Sequence, residues 1–480
     1  MSYLDLSDPV RKVFDTIDKK RGSYIEVLKE AVNIRSVKGD YAEAKKIISW
    51  TEKKFRDLDA GTTLQDVGSV MMDGRKITLP PVLIADFKSE NSKMTLLVYG
   101  HLDVTPSPPG VESGDNESSF NLKEEDGALF GKGVTDSKGP LLCWMNAIQS
   151  YKESGMDLPL NIRFVIEAMK ESGSVGLMDY LQESKGYLFR GVNFVCISDS
   201  SCLFADKPVI TYGLRGCCKF KVTVEGAKCD LHSGVHGGMI AEPMTDLVYL
   251  LSNLSNIKGE ILVPNLRDGI EDVTPDEEKN YHRLSFDVGK FKKESGVDRL
   301  LHKEDKKRLL MHRTRFPSLT IHSIDTGDSV GDEVIPCKVS GTFTIRIVPN
   351  QNPTEVFHRV QGYLVYLFNK VQSPNELTID MPVGIPAWLA KNDDDNYKAA
   401  SKAIFKVYRQ KPELVREGST IPIVYQLQQL SKKNVLLLPV GNSDHCILKN
   451  RDRIDVKTFM DGAKVVAAYI QELSTTKLKK

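Results

Sequence analysis

Apolar and polar positions follow two different rhythms along this chain. Over residues 8–35 and 41–58 apolar residues recur at helical spacing (Val13, Ile17; Ile25, Leu28, Val32; Ile47, Ile48, Phe55). That spacing predicts two amphipathic helices. Short continuous apolar runs follow: VLIADF after Pro80-Pro81, then residues 93–99, 161–166 and 192–197. Each predicts a buried strand. Between them lie a loop rich in Pro, Ser, Gly and acids (105–119), a Gly-punctuated turn (131–140), and helices predicted at 141–151 and near 175–183. Strands alternating with helices predict an α/β fold with a largely parallel sheet and helices on both faces.

After about residue 208 the rhythm changes. Residues 219–224 alternate like an exposed antiparallel strand, 244–254 are helical, and 257–310 are charged and irregular with helical pieces. Strands at 318–324 and 337–348 and a long amphipathic helix at 353–371 complete a small α+β sandwich inserted into the larger domain. The α/β rhythm returns with a helix at 396–409, an apolar strand at 435–440 and a closing helix at 457–473.

Length and composition narrow the classes. A chain of 480 residues is too long for one core, so two or more lobes are expected. Lys+Arg 65 against Asp+Glu 64 leaves a net charge of +1, which gives no reason to expect nucleic acid or a membrane surface as partner. No run approaches the ~18 apolar residues of a membrane span. The N-terminal stretch carries acids early and has no apolar core of a signal peptide. Eight cysteines without framework spacing, Cys217 and Cys218 adjacent among them, read as buried thiols in a reducing compartment, hence a cytoplasmic location.

The candidate chemistry sits at strand ends, where open α/β sheets place their sites. One strand ends in His101 and Asp103, the next leads into Glu171, another into Asp199, and Asp136 lies in the Gly-rich turn before a helix. Carboxylates mixed with imidazole suit zinc, manganese or cobalt better than calcium. Each residue alone also has a plainer role, since an Asp after a strand is commonly a turn former or helix cap.

These residues lie in longer motifs: Val98-Tyr-Gly-His-Leu-Asp-Val104, Gly131-Lys-Gly-Val-Thr-Asp-Ser-Lys-Gly-Pro140, Glu167-Ala-Met-Lys-Glu-Ser-Gly-Ser174, Cys196-Ile-Ser-Asp199, Thr211-Tyr-Gly-Leu-Arg-Gly216, Asp230-Leu-His-Ser-Gly234 and Arg416-Glu-Gly418. Together, in order along nearly the whole chain, they resemble the M20 metallopeptidases, in the branch of the cytosolic nonspecific and carnosine dipeptidases. The resemblance implies a two-domain fold. A three-layer αβα catalytic domain (1–208 and 386–480) would be split by an inserted lid and dimerisation domain (209–385). It also implies two bridged divalent metals, Zn²⁺ or Mn²⁺, and hydrolysis of dipeptides or short peptides with a free C-terminal carboxylate by a dimer.

Carried over by position, the resemblance makes His101, Asp136 and Asp199 ligands of one metal. Asp136 would bridge to a second metal held also by Glu171. Asp103 would hold the ligand imidazole. His232 would reach the scissile carbonyl of substrate in the partner subunit. Arg346 would engage the substrate carboxylate with its planar fork, although a residue of this type in a strand is otherwise an ordinary surface cation. Glu417 and Thr420 would complete the substrate contacts.

The pattern also fails in places. The family carries a second Glu, its general base, where this chain has Lys170. A charged lysine cannot take a proton, and such a base contributes roughly 10²–10⁴-fold. The last ligand His of the second metal falls on Leu448 without gaps, with His445 three residues earlier as a substitute only if the loop is remodelled. Ser137, Ser200, Ser201, Glu333 and Thr420 also depart from the pattern. The expectation is therefore an M20-type dipeptidase with impaired turnover, holding two metals, one or none, with the Lys170 ammonium in place of the second. If instead Lys170 points outward and Glu167 or a water serves as a poor base, slow hydrolysis persists. The alternative is an inactive paralogue that binds peptides or serves as heterodimer partner subunit of an active relative; the dimer itself is expected to be a homodimer or a heterodimer with a related subunit.

Overall fold

The computed structural model describes residues 9–72, 74–90, 92–106, 117–198, 207–327, 331–440 and 452–476. The N-terminal region holds three helices rather than two: Val10–Lys19, Arg21–Asn33 and Tyr41–Asp57. Lys20 leaves helical geometry (φ −95°, ψ 9°) and breaks the first predicted helix. Ile17 and Ile25 are about two helical turns apart, so the apolar phase runs through the break and hides it.

A nine-stranded sheet forms the larger body. Its centre is Asn161–Glu167, Thr95–His101, Val192–Ile197 and Val435–Leu437, side by side and parallel. Antiparallel strands flank it, with Val82–Phe87 and Gly61–Gln65 on one side. On the other, Val209–Leu214 pairs with Val435–Leu437, Trp388–Leu389 and Glu413–Glu417. The parallel strands bury nearly every residue, which is why they read as continuous apolar runs. Phe164 faces a layer of helices. It meets Phe55 of Tyr41–Asp57 at 4.9 Å and Trp144 of Lys138–Glu153 edge-on at 6.1 Å. Trp144 in turn meets Tyr469 of the closing helix Val456–Ser474 at 6.2 Å.

The chain leaves this sheet after Leu214, later than the expected boundary at residue 209, because Val209–Leu214 still pairs within it. A second, antiparallel sheet follows in the order Ser318–Asp325, Lys338–Ile347, Gly216–Glu225, Glu376–Ile385. Gly216–Glu225 alternates buried and more exposed positions, as one solvated face requires. Its covered face packs on helices Pro243–Ser252 and Pro353–Val371, with Phe220 stacked on Phe343 at 4.8 Å. Glu376–Ile385 alternates exposed and more buried positions along its whole length, with Asp380 and Pro382 on the exposed face. An edge strand tolerates the proline, and the register shifts opposite it.

Among the described residues no helix is long and apolar enough to cross a membrane. The thiols depart from expectation. Cys143, Cys196 and Cys218 are buried, but Cys217 and Cys337 are half-buried and Cys229 is exposed. Cys229 sits in the turn beyond Gly216–Glu225, where the chain leaves the sheet.

Candidate active site

The parallel register places His101 beside Glu167, so both strands end together. Beyond Glu167 the chain makes a tight turn, Lys170–Ser172, closed by Gly173 at φ +89°. That left-handed value suits glycine. The turn aims two backbone donors at one carboxylate. The N–H of Lys170 donates to Asp103 Oδ1 at 3.2 Å and that of Glu171 to Oδ2 at 2.7 Å. Asp103 is buried, and burial alone would raise its pKa. Its contact with His101 and the Glu171 N–H outweigh burial and hold it below the usual carboxylate range.

His101 is buried, with Nδ1 3.1 Å from the Asp103 carbonyl and 3.3 Å from its Oδ1. Two acceptors there place the ring proton on Nδ1. Nε2 then carries a lone pair, the form a metal takes. Asp136 stands half-buried in the turn before Lys138–Glu153. By donor type, an imidazole and a carboxylate, these two residues suit the first metal that the motifs imply. Asp199, like Ser200, Ser201, His445 and Leu448, lies outside the described residues. Glu171 does not fit a second metal as placed. Lys170 Nζ lies 2.8 Å from Glu171 Oε1, and both side chains are largely buried. Among the described residues no group of three or more His, Cys, Asp and Glu is arranged to hold a metal ion.

Glu167 is buried at the strand end just before this turn. Tyr99 Oη donates to its Oε1 at 2.5 Å and Ser174 Oγ at 2.7 Å. Burial still dominates and raises its pKa to about 7. The unfolded chain gives up this proton near 4.5, whereas the folded protein keeps it to about 7. The folded state binds more protons in that window, so stability falls as pH rises through it. Glu167→Gln is expected to remove this slope. Denaturant midpoints of variant and parent, compared at intervals from pH 4 to pH 8, should diverge upward in favour of the variant. Parallel curves would contradict it.

A second constellation contains Arg346, Thr420 and Glu417. Arg346 Nη1 donates to Thr420 Oγ1 at 2.7 Å, and that hydroxyl donates to the Arg215 carbonyl at 2.7 Å. Glu417 is buried and accepts from Arg313 Nη2 at 3.1 Å. Burial raises its pKa against the pull of Arg313 and Arg215. Arg215 is itself buried, and its pKa falls to about 10 through burial and the neighbouring Arg346 and Arg313. Two guanidinium groups, those of Arg313 and Arg215, thus act on the Glu417 carboxylate, and a third, Arg346, lies beside Arg215, a setting for an anion. Arg215 lies within the Thr211–Gly216 motif, which singles it out in sequence. Arg313 has no such signal.

His232 stands in a third place, on the two-residue strand Leu231–His232 paired with Val334–Ile335. Its side chain is more than half exposed, and its Nε2 lies 3.1 Å from Glu333 Oε2. The structure thus brings His101, Asp103, Lys170 and Glu171 together, and Arg346 with Thr420 and Glu417, while His232 pairs with Glu333.

Comparison with known proteins agrees with these motifs. Residues 97–472 match the family described as peptidase family M20/M25/M40. The Cys-Gly metallodipeptidase dug1 of Schizosaccharomyces pombe is 38% identical over 470 residues, covering 97% of this chain and 98% of that protein. The crystal structure of human carnosine dipeptidase 1 superposes with a TM-score of 0.87 at 36% identity, covering 97% of this chain and 99% of that one. The Saccharomyces cerevisiae dipeptidase Dug1p gives a TM-score of 0.88 at 34% identity, covering 98% and 100%.

Proposed function

This chain belongs to peptidase family M20/M25/M40, and from that membership we propose that it binds dipeptides as a metal-dependent dipeptidase with impaired turnover. The names of its relatives, a Cys-Gly metallodipeptidase and a carnosine dipeptidase, support dipeptides as the substrate class. A bound Zn²⁺ or Mn²⁺ supplies polarisation of the peptide carbonyl and activation of water. His101 and Asp136 would hold it, with Asp199. Asp103 fixes the His101 ring. The guanidinium of Arg346, steadied by Thr420, would take the substrate carboxylate, and the excess positive charge around Glu417 favours that anion.

The observation that carries the impairment is the Lys170–Glu171 ion pair. By its position in the family motif Lys170 holds the place of the general base, and its ammonium neutralises the carboxylate that would bind the second metal. The largely buried Glu171 needs a cation, and Lys170 provides one. A charged lysine neither accepts a proton nor tolerates a dication beside it.

Elemental analysis after dialysis against Zn²⁺ or Mn²⁺ is expected to give at most one metal per chain, with slow dipeptide hydrolysis in the same samples. Two tightly held metals with turnover at the level of a good dipeptidase would overturn the proposal. A second reading is an inactive subunit that lends His232 to an active relative in a heterodimer; the exposure of His232 favours it. The free thiols support a reducing, cytoplasmic setting for either role.

A further inference from the structure

Cys229 and Cys337 line one open cleft of about 640 Å³, together with Asp230. Both are free thiols, Cys229 exposed and Cys337 half-buried. Both flank the ribbon that carries His232. Leu231 pairs with Ile335 and His232 with Val334. Cys229 lies two residues before Leu231, and Cys337 two residues after Ile335. The Leu231–Ile335 ladder stops short of both cysteines: Glu225 pairs with Lys338 and Gly226 stands opposite Cys337, so Cys229 lies in the short segment between Gly226 and Asp230 that runs past Cys337.

Two further bonds hold the segment there. The Gly226 N–H donates to the Cys337 carbonyl at 2.9 Å, and the Cys337 N–H donates to Asp230 Oδ1 at 2.9 Å. The segment from Gly226 to Asp230 is therefore closed over Cys337 from both ends. The thiol of Cys337 also donates to the Asp230 carboxylate, which raises its pKa. Nothing in the hydrolytic centre uses these two cysteines.

We propose that Cys229 and Cys337 form a reversible dithiol site that reacts with low-molecular-weight disulfides and closes into an intramolecular disulfide across the base of the His232 ribbon. Cys229, the exposed member, meets the oxidant first. Its thiolate attacks one sulfur of the small disulfide, a mixed disulfide forms on Cys229, and one thiolate leaves. Cys337 gives its proton to Asp230 and attacks the Cys229 sulfur, and the second small thiolate leaves. Two protein thiols have lost two protons and two electrons, and the small disulfide has taken them up as two thiols. Excess small thiol reverses the sequence, which suits a site in a reducing compartment. The bond fastens the two strands that carry His232 and Glu333. The proposal is independent of whether the centre turns over.

The test treats the full-length protein with glutathione disulfide, blocks residual thiols, and maps peptides by mass without reduction. The parent is expected to yield a linked pair of peptides containing Cys229 and Cys337, and to lose it on adding reduced glutathione. Cys229→Ser and Cys337→Ser should each lose the linked pair, and Cys337→Ser should retain a glutathionyl group on Cys229. Both thiols still free in the parent, a persisting glutathionyl adduct on parental Cys229, or linkage of either residue to another cysteine would each overturn the assignment.

Discussion

The double variant Lys170→Glu, Leu448→His is expected to hydrolyse dipeptides roughly 10²–10⁴-fold faster than the parent in the presence of Mn²⁺ or Zn²⁺. Two effects combine. The carboxylate introduced at position 170 would supply a proton acceptor where the parent has an ammonium. The same change releases Glu171 from its 2.8 Å ion pair. Opposite charges about 4 Å apart attract by about 4 kcal/mol at an effective dielectric near 20. The repulsion between an ammonium and a dication at similar distance is larger still. The Leu448→His change would supply an imidazole at the position where the family motif, aligned without gaps, carries one. Lys170→Met separates the effects: it removes the cation without adding a base. It should raise metal content while leaving the rate low. A parent already as fast as the double variant would contradict the assignment of Lys170.

Trp144→Ala is expected to lower stability by about 3–5 kcal/mol, the range for deleting a large buried aromatic ring. Trp144 is fully buried and meets Phe164 and Tyr469 edge-on. Its Nε1–H donates to Ser198 Oγ at 2.9 Å, at the end of Val192–Ile197. The ring therefore joins the helix layer to the strand end that leads to Asp199. Trp144→Phe keeps most of the ring volume and loses the hydrogen bond. It should cost less, about 1–3 kcal/mol, for the buried hydroxyl left without its donor. Denaturant midpoints followed by circular dichroism check both values. Equal losses for the two variants would show that the hydrogen bond, not the ring, carries the effect.

Fold class and family were legible in the chain because both rest on local signals. Buried parallel strands bury both faces, so they appear as apolar runs at residues 95–101, 161–167 and 192–197. The motifs are contiguous, and each sits at such a strand end or in an adjoining turn. The elements that escaped notice lack that signature. Lys20 breaks a helix without breaking its apolar phase. Glu376–Ile385 alternates with period two instead of forming an apolar run, and it completes the second sheet as the edge strand beside Gly216–Glu225.

The site divides in the same way. The sequence by itself determined which residues stand at the strand ends and that Glu171 follows Lys170; that Lys170 stands at a base position is what the family resemblance implies. Only the tertiary structure decided what those residues do to one another. The Gly173 turn bends Lys170 back onto Glu171 and directs both backbone N–H groups at Asp103. Arg215, Arg313 and Glu417 come from distant parts of the chain, and their charges matter because burial weakens solvent screening. Cys229 and Cys337 are 108 positions apart and line one cleft only because Gly226 and Asp230 on either side of Cys229 bond to Cys337. A linear pattern records residue type and local period. Ion pairs and cross-strand neighbours depend on distances that exist only once the chain has closed on itself.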